Sequence, residues 1–263
     1  MARIGFFDSG VGGITVLHEA VRMLEAPEYL YYMDTAHVPY GTKTAEEIRA
    51  YAADIVSFLR EKGADLIVIA CNTATSAAAA ALRERFDLPI VGMEPAVKPA
   101  LALTSEEGRD RVLVLATPLT LREQKLQDLI ARYDAAHRVD LLALPELVTF
   151  AEEGQFDTEA VRAYLCESLR ETETERYRAV VPGCTHFRYF LPLLKERFPE
   201  GTAFIDGTEG TVRRIAELLQ LPLAERAPAP AKVTYYDSGR EITGEEELRR
   251  IAMLQERLDA VET

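Results

Sequence analysis

Asp65-Leu66-Ile67-Val68-Ile69-Ala70-Cys71-Asn72-Thr73-Ala74-Thr75, followed by five alanines at 77–81, decides the fold. The apolar residues of 66–70 do not alternate with polar ones, which is how a strand covered on both faces reads. Alanine is the strongest helix former, so a helix is predicted to begin almost where the strand ends. The same grammar recurs along the chain. Short runs rich in Val, Ile, Leu, Tyr or Phe at 3–7, 29–33, 66–70, 90–92, 112–116, 139–143, 179–182 and 203–205 read as strands. Amphipathic stretches at 44–62, 75–86, 120–133, 158–171, 190–197 and 209–219 read as helices. Strands alternating with helices imply βαβ units and a mainly parallel sheet, so the fold class is α/β.

An internal echo divides the chain in two. Arg3-Ile4-Gly5-Phe6-Phe7-Asp8-Ser9 and Arg111-Val112-Leu113-Val114-Leu115-Ala116-Thr117 are both strands running into small polar residues. The opening stretch is matched by Arg178-Ala179-Val180-Val181-Pro182-Gly183-Cys184-Thr185-His186, again a strand ending in Cys. Two similar α/β halves joined within 94–107 are the simplest account. Residues 222–230 read as a linker, 232–236 as an edge strand and 245–258 as a short acidic helix.

Composition narrows the function. With 263 residues, 48% of them hydrophobic, the chain is long enough for one large domain or two small ones and has ample material for a core. A formal charge of −13 argues against a broad nucleic-acid surface or binding to anionic membranes. No apolar run approaches the roughly 20 residues needed to span a bilayer, and the N-terminus lacks a signal-peptide layout. Three cysteines do not make a disulfide framework, so a soluble cytoplasmic protein with reduced thiols is expected.

Ligands in open α/β sheets sit beyond the carboxyl ends of strands, so the loops there are where chemistry is sought. The glycines of Asp8-Ser9-Gly10-Val11-Gly12-Gly13 allow close backbone approach, and a following helix would offer free N–H groups. The run is neither a dinucleotide fingerprint nor a P-loop. Cys71 stands at a helix start, with Asn72, Thr73 or Thr75 as candidate caps. A thiol there has its pKa lowered by the helix, unless it is simply a small buried apolar residue. Cys184 lies two residues from His186, a pairing that suits nucleophile and base or acid and base, whereas the spacing is poor for zinc. Cys166, mid-helix, reads as packing. Thr117, Thr120, Glu152 and Pro39-Tyr40-Gly41 each have ordinary structural readings as helix starts, an acidic turn and a tight turn.

Taken together, Phe7-Asp8-Ser9-Gly10-Val11-Gly12-Gly13, Pro39-Tyr40-Gly41, Ala70-Cys71-Asn72-Thr73-Ala74-Thr75 and Gly183-Cys184-Thr185-His186 resemble the bacterial glutamate racemases, in family order and over nearly the whole chain. These belong to the cofactor-independent aspartate/glutamate racemase superfamily. The resemblance implies two pseudo-symmetric α/β domains, 1–95 with 208–263 and 96–207, with the active site in the cleft between them. It also implies a homodimer, L- and D-glutamate as substrates, no cofactor, no metal, and supply of D-glutamate for peptidoglycan and hence cell shape. Cys71 and Cys184 would be the acid/bases for the two enantiomers, Asp8 assisting the first and His186 the second, with Glu152 near the first thiol unless its neighbour Glu153 takes that place. Asp8, Ser9, Pro39, Tyr40, Gly41, Cys71, Asn72, Thr73, Thr117, Thr120, Cys184, Thr185 and His186 match the family's substrate contacts. Phe187-Arg188 departs from the usual Tyr-Pro, and Asp206-Gly207-Thr208 from the usual turn.

Other readings make different predictions. Aspartate racemisation would keep the two-thiol mechanism. A decarboxylase needs one catalytic Cys, a hydrolase built on Cys184 and His186 leaves Cys71 idle, and an idle binding protein need keep none of these residues.

Overall fold

The computed structural model describes residues 2–25, 28–104, 110–224 and 231–262. Part of the expected junction (105–107) and most of the expected linker (225–230) lie outside the described residues. The order is β1 (Arg3–Asp8), α1 (Ile14–Met23), β2 (Glu28–Met33), α2 (Ala45–Glu61), β3 (Leu66–Ile69), α3 (Asn72–Arg85), β4 (Ile90–Gly92) and α4 (Val97–Leu101). The second half runs β5 (Arg111–Ala116), α5 (Pro118–Arg122), α6 (Gln124–Tyr133), β6 (Val139–Ala143), α7 (Glu146–Glu152), α8 (Glu159–Ser168), β7 (Tyr177–Pro182), α9 (Leu191–Lys195) and β8 (Ala203–Phe204). The chain closes with α10 (Thr208–Leu219), β9 (Val233–Asp237), β10 (Arg240–Glu241) and α11 (Glu245–Glu262). Single 3-10 turns cover Tyr40–Thr42 and Thr174–Arg176, and a longer one covers Thr185–Phe190.

Two sheets result, ordered β10-β9-β2-β1-β3-β4 and β6-β5-β7-β8. The segment β2-β1-β3-β4 in the first matches β6-β5-β7-β8 in the second, so the echo read from the sequence is a duplicated topology. All pairings are parallel except β10 with β9. In each sheet the chain steps to one side and then to the other of its first strand. The resulting switch points, β1/β3 and β5/β7, open crevices at the carboxyl ends of those strands. The central strands β1, β3 and β5 are buried almost throughout, as non-alternating runs require. One core cluster joins the halves, running from Ile4, Phe6 and Val68 to Leu113, Leu115 and Val180.

The helices take their limits from capping chemistry. Thr44 and Glu47 form a reciprocal capping box at the start of α2, with Thr44 N–H donating to Glu47 Oε2 at 2.8 Å. Thr44→Ala should therefore lower the unfolding free energy by about 1 kcal/mol, read from urea denaturation, and leave the site untouched.

Several expectations are corrected. The helix expected over 120–133 is two, because Glu123 takes an extended backbone (φ −65°, ψ 134°). The expected edge strand is not at the edge: β9 lies between β2 and β10. The short acidic helix is an 18-residue one. Cys166 does not pack; it is exposed, because α8 buries Val161 and Leu165 on another face. Among the described residues no helix is long and apolar enough to cross a membrane.

Candidate active site

The loops after β1, β3, β5 and β7 converge, two from each sheet. With the turn Pro39-Tyr40-Gly41 they line a cavity of about 20 Å³, room for about one water molecule. Cys71 and Cys184, both buried, face it from opposite sheets. A roomier cavity of about 220 Å³, lined by Ser76, Glu94, Lys125 and Arg132 among others, contains no thiol or imidazole, so volume does not locate the chemistry.

Cys71 itself is the N-cap of α3: its Sγ accepts from Ala74 N–H at 3.4 Å. The helix therefore starts at Asn72, and none of Asn72, Thr73 and Thr75 caps it. Thr75 Oγ1 instead donates to the Ile69 carbonyl (3.2 Å) and accepts from Met93 N–H (3.0 Å), stitching β3 to β4. The expected lowering of the Cys71 pKa is also overturned. Burial pushes the thiol well above its usual range, and the nearby Asp8 carboxylate adds to this; the helix N–H groups oppose both without winning. A thiolate formed here is consequently a strong base.

Around the second thiol the charges are arranged otherwise. Cys184 Sγ lies 3.6 Å from His186 Nδ1, and His186 Nε2 lies 2.7 Å from Glu152 Oε1. Burial disfavours the charged imidazole, but Cys184 and Glu152 outweigh it and hold the His186 pKa well above its ordinary value. Burial likewise works against the Glu152 carboxylate, yet its bond to His186 keeps it below the usual range. Both directions favour the ionic form of this buried His186–Glu152 pair beside Cys184. Glu152 is thus bonded to the imidazole beside Cys184, and its charge also acts on Asp8, while Glu153 is exposed and bonded to Gln155.

The glycine-rich loop spends its first amides on the protein's own carboxylates. Gly10 N–H donates to Asp8 Oδ1 and Val11 N–H to Glu152 Oε1, each at 2.8 Å. Ser9 Oγ and Thr185 Oγ1 also donate to Asp8, at 3.4 and 3.2 Å. Asp8 is fully buried and its pKa is raised by that burial. A ligand anion accordingly meets other donors. Thr73, Thr117 and Thr120 form a triangle of buried hydroxyls with edges of 3.0 to 3.1 Å, drawn from both sheets. Neither polar atom of the buried Asn72 amide has a protein partner, and Asn72 lines the cavity. The Tyr40 hydroxyl is committed to Asp34 Oδ2 at 2.5 Å, so Tyr40 contributes backbone and ring rather than its O–H.

Some contributors were not foreseen. Val148 lines the cavity, and the Tyr31 and Tyr189 hydroxyls donate to the Gly10 and Val11 carbonyls at 2.9 and 3.1 Å. Nothing in their local sequence marks them, since each acts on a residue distant in the chain. The two departures from the racemase pattern meet each other: Arg188 Nη1 lies 3.5 Å from Asp206 Oδ2 and Nη2 3.6 Å from Glu19 Oε2. Among the described residues no group of three or more His, Cys, Asp or Glu is placed to hold a metal ion.

The duplicated α/β fold presents one thiol from each half to a single cavity, and the chain belongs to the Asp/Glu/hydantoin racemase family, whose model matches residues 8–215. Among its relatives, the glutamate racemase of Campylobacter curvus is 48% identical over 98% of this chain and 97% of its own. The glutamate racemase 2 of Bacillus subtilis is 41% identical over 98% and 96%. The structure is similar to that of Escherichia coli glutamate racemase in complex with L-glutamate and the activator UDP-MurNAc-Ala (TM-score 0.80, 32% identity, 97% of this chain and 95% of that one).

Proposed function

We propose that this protein interconverts L- and D-glutamate by two-base proton transfer between Cys71 and Cys184, with no cofactor. The observation that carries this reading is the pair of buried thiols facing one cavity from the two switch points. Inversion at Cα requires a base on one face and an acid on the other, and a single thiol cannot serve both. One thiolate takes the α-proton: the Cα–H bond breaks, an S–H bond forms, and the electron pair moves into the adjacent carboxyl group. The opposite thiol then donates its proton to the other face, becoming the thiolate for the reverse reaction. Asp8 assists at Cys71, and the His186–Glu152 pair assists at Cys184. Ser9, the Pro39-Tyr40-Gly41 turn, Asn72, Thr73, Thr117, Thr120 and Thr185 hold the substrate. Neutral N–H and O–H donors suit a dicarboxylate in an acidic protein without any basic patch.

In this reading residues 1–95 with 208–263 form one domain and 96–207 the other, the protein works as a homodimer in the cytoplasm, and its product feeds peptidoglycan synthesis. Glutamate is preferred to aspartate on the strength of the relatives' identity, because one methylene is worth only about 1–3 kcal/mol of discrimination.

Proton NMR of the Cα–H signal in D₂O tests this with L-glutamate, D-glutamate and L-aspartate, and no added cofactor. The expected result is deuterium wash-in with both glutamate enantiomers and optical rotation falling to zero. Exchange of aspartate alone would move the substrate, and exchange of none would overturn the reading.

A further inference from the structure

The chain's last helix reaches the site from behind. On one side α11 belongs to the first sheet's half: Ile251, Leu254 and Leu258 are buried in the core, His18 Nε2 lies 3.2 Å from Asp259, and Gln255 donates to the Tyr235 hydroxyl at 3.3 Å. On its other side two arginines cross to the second half. Arg250 Nη2 donates to the main-chain carbonyl of Glu152. Arg257 donates through Nε and Nη2 to the carbonyl of Tyr189, at 3.2 and 3.1 Å, with its guanidinium 4.7 Å from the centre of the Phe156 ring.

Both acceptors are at telling places. Glu152 ends α7, where carbonyl groups lack partners within the helix and a cation is favoured. Tyr189 lies in the 3-10 turn that carries Thr185 and His186. The side chains of these two residues grip Val11 from its two sides: Glu152 Oε1 accepts its N–H, and the Tyr189 hydroxyl donates to its carbonyl. The same Glu152 oxygen holds His186.

We propose that Arg250 and Arg257 are positioning residues, latching α11 onto α7 and the His186 turn so that the Glu152–His186 pair is held against Cys184. The inference rests on the racemase reading above. Neither arginine lines the cavity; each acts through the carbonyl of a residue whose side chain holds Val11, and Glu152 also holds the cavity-lining His186. A displacement of order 1 Å in such a pair costs up to about 10²-fold in rate, so a latch at one remove is expected to be worth about tenfold.

The equilibrium constant of a racemisation is 1, so kcat/KM must fall equally in both directions and cannot reveal which half is damaged. The isotope effect can. If Arg250→Met slows only the Cys184 step, α-deuterated substrate of the enantiomer deprotonated by Cys184 shows a larger isotope effect than in wild type. The other enantiomer shows a smaller one. Arg250→Lys should recover part of the rate, and Arg249→Met, which removes the same charge from the neighbouring exposed position, should match wild type. In a Glu152→Gln background the added cost of Arg250→Met should shrink to less than about twofold, because the route through Glu152 is already broken. Arg257→Lys, which retains the charge but not the fork, serves as the milder variant at the second position.

Isotope effects unchanged from wild type for both enantiomers in a folded Arg250→Met protein, or full additivity with Glu152→Gln, would overturn the latch while leaving the racemase reading intact. A wild-type protein that exchanges neither glutamate nor aspartate would overturn both.

Discussion

Serine in place of Cys71 or of Cys184 is expected to lower racemisation by about 10³-fold or more while leaving the thermal unfolding midpoint nearly unchanged. The volume change is small and both positions are buried, so packing survives and the lost property is proton affinity. A serine hydroxyl is too weak an acid to cycle between the two protonation states that the reaction needs. The single and double variants should be about equally inactive, because two groups acting in one proton relay are non-additive. A hydrolase built on Cys184 and His186 predicts the contrary for the first thiol: Cys71→Ser would keep its activity. Initial rates by circular dichroism at the carboxylate band, from either enantiomer, decide between these outcomes.

The second large effect is expected at glycines that no reacting group belongs to. A Cβ at Gly12 would stand 2.3 Å from His186 Nδ1 and 2.6 Å from Thr185 Oγ1, and one at Gly10 would stand 1.9 Å from Glu152 Oε1. No rotamer change relieves both partners at Gly12, since His186 is held by Glu152 and Thr185 by Asp8. Gly12→Ala and Gly10→Ala should therefore push the imidazolium–carboxylate pair away from Cys184. We expect about 10²-fold lower kcat and about 1–3 kcal/mol less stability, measured by initial rates and by urea unfolding of the same samples. Gly210→Ala is the contrast: it lies within α10 and a Cβ there meets nothing within 4 Å, so a small gain in stability and full activity are expected.

These glycines also show what could be read from the residues alone. Their cluster after β1 flagged a close backbone approach, but not what approaches; the sequence is silent on residues more than 140 positions away, such as Glu152. Strand identity was legible because β1, β3, β5 and β7 are short apolar runs ending in small polar residues, and their duplication followed from the recurring Cys. Boundaries were less so. A start for α3 at Asn72 depends on a sulfur acting as cap, which ranks below Ser, Thr, Asp or Asn in any propensity reading. The break at Glu123 has no Pro or Gly to announce it. The exposure of Cys166 is not legible because amphipathic spacing is ambiguous when exposed alanines and a half-buried tyrosine share the helix. The bond from Glu152 to His186 goes unannounced for the same reason as the hydroxyl bonds of Tyr31 and Tyr189: each is fixed by tertiary contact and leaves no local trace.

The two halves of the molecule are copies in topology, yet their thiols sit in unlike surroundings, a carboxylate behind one and an imidazolium behind the other. The reactant and product they serve are mirror images of identical free energy. Whatever advantage the charged surroundings of Cys184 give to one enantiomer when it binds must be returned, in full, by the time the empty protein is restored. The lopsidedness can therefore reshape the path, setting which form of the enzyme accumulates and how long it must wait to reset its protons, but never the destination. In such a molecule the difference between the copies is kinetic alone, and a closed solution of the protein with either hand of the substrate would arrive at the same even mixture.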